Sequence, residues 1–167
     1  MQSLPEFKVD IVTLEQIDAI AFFTNGAYFS ETAAASFGRL GKFTKENVFK
    51  YNKWVGVYYD DPAKKPAAEL RSAAAVTVSK EVLESLRSKM EEAGGQQITW
   101  EAGEYAVVHY IGPYTGLSAA YDFIYTQWLP QNKRTAVPDY HAYEHYLNDC
   151  TDTAPADLLT DIFIKLQ

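Results

Sequence analysis

A chain of 167 residues is long enough for one ordinary domain with a real core. Its 47% hydrophobic and 22% charged residues are globular proportions. The formal net charge of −7 argues against a nucleic-acid binder, which needs a basic face, and leaves cationic ligands and basic protein partners open.

Phe7–Leu14 alternates, with Phe7, Val9 and Ile11 on one face, and reads as a strand. Ile17–Thr24 is a short apolar run closed by the turn pair Asn25-Gly26. Ser30 can cap a following helix, in which Ala33, Ala34, Phe37 and Leu40 recur at helical spacing and whose end falls near Lys45–Val48. Trp54–Tyr59 is a strand rich in β-branched and aromatic residues, stopped by Asp60-Asp61-Pro62. Ala63–Leu70 is a polar connection, and Ala73–Val78 another strand. Ser79 caps a helix over Lys80–Ala93, whose stripe of Val82, Leu83, Leu86 and Met90 reads as core packing and which Gly94-Gly95 ends.

A strand starts near Ile98–Glu101, and Tyr105–Tyr110 is the next. The turn Gly112-Pro113 leads to a helix over Thr115–Leu129, with Leu117, Tyr121, Ile124 and Trp128 on one face and Pro130 just beyond. Tyr143–Asn148 and Asp161–Leu166 are the closing strands.

The two halves repeat each other. Superposing Gly26 on Gly112 brings Tyr28 onto Tyr114, Ala33 and Ala34 onto Ala119 and Ala120, and Phe37 onto Phe123; with slight slack, Trp54–Asp60 falls on Ala142–Asn148. The fold expected is therefore α+β: a tandem β-α-β-β duplication with antiparallel strands and helices packed on the sheet. Nothing linker-like separates the repeats (about 6–78 and 97–167), so a single domain is expected, with the helix near 80–93 an addition at the junction.

No apolar run approaches the roughly 20 residues of a membrane span. The start, MQSLPEFKVD, lacks the basic end and apolar run of a signal peptide, and a lone Cys150 forms no internal disulfide, so a cytoplasmic protein that does not meet the membrane is expected. Cys150 lies among acids that disfavour a thiolate and reads as an ordinary cysteine. The phosphate-cradling, nucleophile-elbow and dinucleotide motifs are absent from the sequence. His141–His145 matches the inverted zinc-protease pattern H-x-x-E-H, but that chemistry needs a helix. On a strand, residues four apart lie about 13 Å apart, too far for one zinc. Neither a metal nor a cofactor is expected.

Aromatic residues are abundant: Tyr 12, Phe 9, Trp 3. One acid, Glu144, stands among Tyr140, Tyr143 and Tyr146. On a strand Glu144, Tyr146 and Asn148 share a face, and the repeat makes Tyr58 the counterpart of Tyr146. The residues alone leave two readings open. Glu144 either anchors a cation among aromatic rings, or is a solvated or ion-paired surface acid.

The segments YAVVHYIGPY, AYDFIYTQWLP, YEHYLND and a closing strand, with WVGVYYDDPAKKPAAELRSAAAVTV in the first half, resemble the GyrI-like effector-binding domain over nearly the whole chain. That domain ends several drug-sensing transcription regulators and also occurs alone as gyrase-inhibitory proteins. The resemblance implies a cleft between the halves, aromatic-lined, with a glutamate at its base that meets lipophilic cations. Glu144 takes that glutamate's place and Tyr146 the aromatic of its E-x-Y pattern, with Tyr58, Tyr121, Trp128 and Phe163 as further carry-overs. Tyr110 is a further candidate ligand-binding residue and also a departure: many members have a histidine two residues before the turn glycine, and here His109 is shifted by one. With its first strand near Phe7, the chain is expected to be a stand-alone ligand-binding member that does not itself touch nucleic acid. Three functions follow from the resemblance: binding of amphipathic cations, hydrolysis of cyclopropane-bearing alkylators with Glu144 handling the water, and inhibition of DNA gyrase.

Overall fold

The computed structural model describes residues 7–28, 31–138 and 142–167. The proposed Ser30 cap, Tyr140 and His141 lie outside them. The described residues divide into two compact units, one of 7–14 with Gly103–Gln167 and one of Glu15–Ala102.

The second of these units holds strands β2 (Ile17–Asn25), β3 (Trp54–Tyr58), β4 (Arg71–Val78) and β5 (Gln96–Trp100), with helices α1 (Glu31–Glu46) and α2 (Lys80–Glu92). Its antiparallel ladders run β5–β2–β4–β3. The β-branched and small residues of β2 and β4 suit a sheet buried on both faces, and most are fully buried. Ile20, Phe22, Ala74, Val76 and Val78 pack against Leu40 and Phe43 of α1 and Leu83, Leu86 and Met90 of α2. Ser79 caps α2, its Oγ accepting the Val82 N–H at 3.2 Å, and Gly94 follows the helix at φ +86°, where a side chain is strained.

The other unit holds β1 (Lys8–Leu14), β6 (Gly103–Ile111), β7 (Tyr143–Tyr146) and β8 (Leu159–Lys165), laddered antiparallel as β1–β6–β8–β7. A single helical stretch covers one face. It opens with a 3-10 turn (Tyr114–Gly116), runs as α3 (Leu117–Phe123), widens into a π turn (Ile124–Trp128) and ends with Leu129–Gln131. In the wide turn the Leu129 N–H reaches back to the Ile124 carbonyl. Pro130 follows it; proline has no N–H to donate and its ring crowds the preceding turn of a tight helix, which the wider turn relieves. Under this stretch lie Ala106, Val108, Ile162 and Ile164, packed on Leu117, Ala120, Ile124 and Leu129.

The α+β, duplicated architecture expected from the sequence is the one observed, and the structure extends the duplication to the register. Phe22 faces Ala74 as Val108 faces Ile162, and Tyr58 faces Ser72 as Tyr146 faces Thr160. The edge strands differ from the sequence reading, which kept Phe7–Leu14 with the first repeat. β1 pairs instead with β6 of the second repeat, from Lys8 opposite His109 to Leu14 opposite Gly103. Strand partners are chosen by long-range packing, which local alternation does not encode.

Candidate functional site

The alternation of β7 decides what faces what. Tyr143 and His145 stand opposite Phe163 and Asp161, while Glu144 and Tyr146 stand opposite Ile162 and Thr160. Ile162 belongs to the core beneath the helix, so Glu144 and Tyr146 point to the helix-covered face. Glu144 is only 2% exposed. An acid this deep must be bonded, paired or neutral.

It is bonded by two phenols. The Tyr121 hydroxyl, from α3, donates to Glu144 Oε2 at 2.7 Å, and the Tyr146 hydroxyl, two residues along the strand, donates to Oε1 at 3.0 Å. None of the ion pairs among the described residues involves Glu144. Burial pushes its carboxyl up to about 7, against the lowering pull of the Tyr121 and then the Tyr146 hydrogen bond. Tyr114 meets Tyr146 edge-on, ring centroids 5.6 Å apart. Burial first, then the Cys150 thiol and the charges of Asp149 and Glu144, push the Tyr114 phenol up to about 12, so it remains a neutral donor.

Of the residues named from the sequence, Glu144, Tyr121 and Tyr146 are brought together by hydrogen bonds. Trp128 sits in the π turn, partly buried against the same core. Tyr110 lies on the same face of the sheet, but its hydroxyl donates to the Pro113 carbonyl and sits beneath Gly112 and Gly116. A phenol there braces the turn that starts the helical stretch, which gives the departure at this position a structural role. Phe163 is not brought to Glu144. It stacks on Tyr143 with centroids 4.6 Å apart and rings 4° from parallel, on the opposite face of the sheet. The carry-over was one residue out of phase, since alternation puts Ile162 beside Glu144. Tyr58 belongs to the other unit, edge-on to Tyr28 at 5.0 Å.

Two participants were not named from the sequence. Tyr114 was present only as the repeat partner of Tyr28, a pairing that already held the signal. Thr160 is fully buried opposite Tyr146, its Oγ1 without a hydrogen-bond partner among the described residues. Finding it needed the register of β8, which sequence does not give.

The H-x-x-E-H segment is a strand over Tyr143–Tyr146, with His145 on the face away from Glu144. The described residues include no group of three or more potential ligands arranged to hold a metal. On that far face, His109 places Nδ1 2.8 Å from Asp161 and Nε2 2.8 Å from Asp10. Burial works against its charge, but the bonds to Asp161 and Asp10 outweigh it and the imidazole titrates above its ordinary value. No helix among the described residues is long and apolar enough to cross a membrane.

The duplicated β-α-β-β fold matches a class of small-molecule-binding domains. Residues 7–167 match the GyrI-like small molecule binding domain, and the chain belongs to that family. A DNA gyrase inhibitor of Serratia proteamaculans (strain 568) is 28% identical over 130 residues, 78% of this chain and 81% of that protein. Among solved structures, a hydrolase encoded by lin2189 from Listeria innocua superposes with a TM-score of 0.65 at 13% identity, covering 98% of this chain and 93% of that one. SAV2435 bound to tetraphenylphosphonium superposes with a TM-score of 0.55 at 12% identity, covering 98% and 94%. At such identities these two structures speak for the fold alone.

Proposed function

We propose that this domain binds amphipathic cations, with Glu144 as the anchor and Tyr121, Tyr146 and Tyr114 as its aromatic surround. The observation that supports this most is a carboxyl 2% exposed, held by two phenols and by no ion pair among the described residues. Such an acid leaves room in its bonding for a positive charge. Each ring facing a cation adds about 0.5–2 kcal/mol, and charge pairing with the carboxylate adds to that. Family membership as a small-molecule binder and a tetraphenylphosphonium-bound relative of the same fold agree with the reading. Because Glu144 is covered, a ligand has to part a tyrosine hydroxyl from it on entry.

The test is a thermal-shift screen of lipophilic cations and neutral aromatics against wild type and Glu144→Gln. At a ligand concentration 100 times Kd the protein gains about 2.7 kcal/mol. Shifts with cations that disappear in Glu144→Gln support the anchor. Cation shifts of the same size in both proteins refute it.

A second reading is hydrolysis of reactive cyclopropane-type alkylators. It draws on a carboxyl poised near neutrality beside a phenol that can polarise an electrophile. No turnover of such a substrate between pH 5 and 9 removes it. Inhibition of DNA gyrase is carried only by the name of the 28% identical relative, and a supercoiling assay indifferent to excess protein counts against it.

A further inference from the structure

We propose that the Glu144 site is a proton–cation exchanger: in acidic solution Glu144 stands protonated in the free protein, and an entering lipophilic cation sends that proton to solvent. The inference rests on the cation-binding reading above and adds its regulation by pH.

The geometry accommodates both states. A phenol oxygen donates one hydrogen bond and accepts others, whereas a carboxylate only accepts. With Glu144 ionised, the Tyr121 and Tyr146 hydroxyls both donate to it, at 2.7 and 3.0 Å. With Glu144 protonated, its own O–H turns to one phenol oxygen and the other phenol still donates. Both carboxyl oxygens keep a phenol partner either way, the accepting phenol turning its own hydrogen aside. The carboxyl can therefore gain and lose a proton without leaving either of its own oxygens unmet.

The surroundings decide which state is favoured. Tyr121 faces Glu144 from α3 and Tyr146 from its own strand, and each donates its hydroxyl to the carboxyl. Tyr114 comes from the turn before α3, and the Cys150 thiol and the Asp149 carboxylate act on its phenol. β8 contributes Ile162 and Thr160, neither of which titrates. Among these described groups none supplies a positive charge to hold the Glu144 anion. At 2% exposure water does little to stabilise the anion. A bound cation supplies the missing positive charge and reverses the preference. Release of the proton is then part of binding, so affinity for a permanent cation tightens by about ten-fold per pH unit while Glu144 is protonated and levels off above its titration.

The test uses the full chain and tetraphenylphosphonium, a permanent cation with no titrating group. Calorimetry in two buffers of different ionisation enthalpy counts protons released per cation bound. The exchange predicts close to one proton at pH 5.5 and close to none at pH 9, with Glu144→Gln releasing none at either pH. Binding at pH 5.5 without proton release overturns the exchange and leaves the cation site standing. A release that persists in Glu144→Gln overturns the assignment to Glu144. No binding at either pH defeats the cation-binding reading and the exchange with it. An independent measurement needs no ligand: a carbon-13 NMR titration of the side-chain carboxyls. A Glu144 midpoint near neutrality supports the proposal, and one in the ordinary glutamate range overturns it whatever binds.

Discussion

The two repeats build the same scaffold and put different chemistry on it. Each has a tyrosine at the start of its helical segment meeting a tyrosine at the end of its second strand edge-on: Tyr28 with Tyr58, Tyr114 with Tyr146. Each has a fully or nearly fully buried hydroxyl residue across from the second tyrosine, Ser72 or Thr160, with its oxygen lacking a hydrogen-bond partner among the described residues. Where the second repeat carries Glu144 the first has Gly56, and where it carries Tyr121 the first has Ala35. The acid and its main donor occur together or not at all. The first repeat's tyrosine is structural instead: the Tyr28 hydroxyl accepts the Asp60 N–H at 2.9 Å and lies 2.9 Å from the Arg71 carbonyl, pinning the ends of the 59–71 loop. The far faces differ in the same way. Phe23 opposes Ala73 where His109 opposes Asp161. The two copies share the frame, and of the two only the second carries a buried acid at this position.

The comparison is broken most severely by moving the acid alone. Gly56→Glu places a carboxyl on a buried stretch of β3 opposite Ala74, with an alanine where Glu144 has Tyr121. A loss of about 3–5 kcal/mol is expected in urea unfolding at pH 8, because an unpaired buried charge is not compensated. Little loss would mean that the phenol is not what makes the acid tolerable. Glu144→Gln should do the reverse. The Glu144 carboxyl titrates higher when folded, about 7, than its ordinary 4.5, so its favourable contribution is complete below 4.5 and is lost as pH rises through about 7. The variant should therefore be more stable than wild type by about 3 kcal/mol at pH 9 and nearly equal to it at pH 4.

Tyr121→Phe sharpens the comparison by removing the hydroxyl donor that the first repeat, with Ala35, also lacks. It should cost about 1–2 kcal/mol at pH 8, less at pH 5, and move the Glu144 midpoint further up, since the stronger donor to the ionised form is gone. The smallest effect belongs to the far face. The imidazole of His109 titrates above its ordinary 6.5, so its contribution is complete below about 6.5 and is lost as pH rises through the higher folded value. Wild type should exceed His109→Gln by under about 1 kcal/mol at pH 6, the pair being partly solvent-screened, and by nothing at pH 9.

Element order, the duplication and the Glu144–Tyr146 pair were legible because they rest on local periods: two for strands, 3.6 for helices, and one repeated tyrosine spacing. What was not legible needed partners far along the chain. The pairing of β1 with β6 exchanged an edge strand between repeats. Phe163 looked like a site residue until the register put Ile162 beside Glu144. Thr160 was invisible for the same reason. The π turn before Pro130 was read as plain helix, because the proline marks where the helix must change but not how.

The central claim is that Glu144 anchors a cation. The most direct measurement is the Kd of tetraphenylphosphonium for wild type and Glu144→Gln at pH 9, where the acid is ionised. The account predicts binding weakened by at least about ten-fold in the variant, some 1.4 kcal/mol. Equal affinities for the two proteins would contradict it.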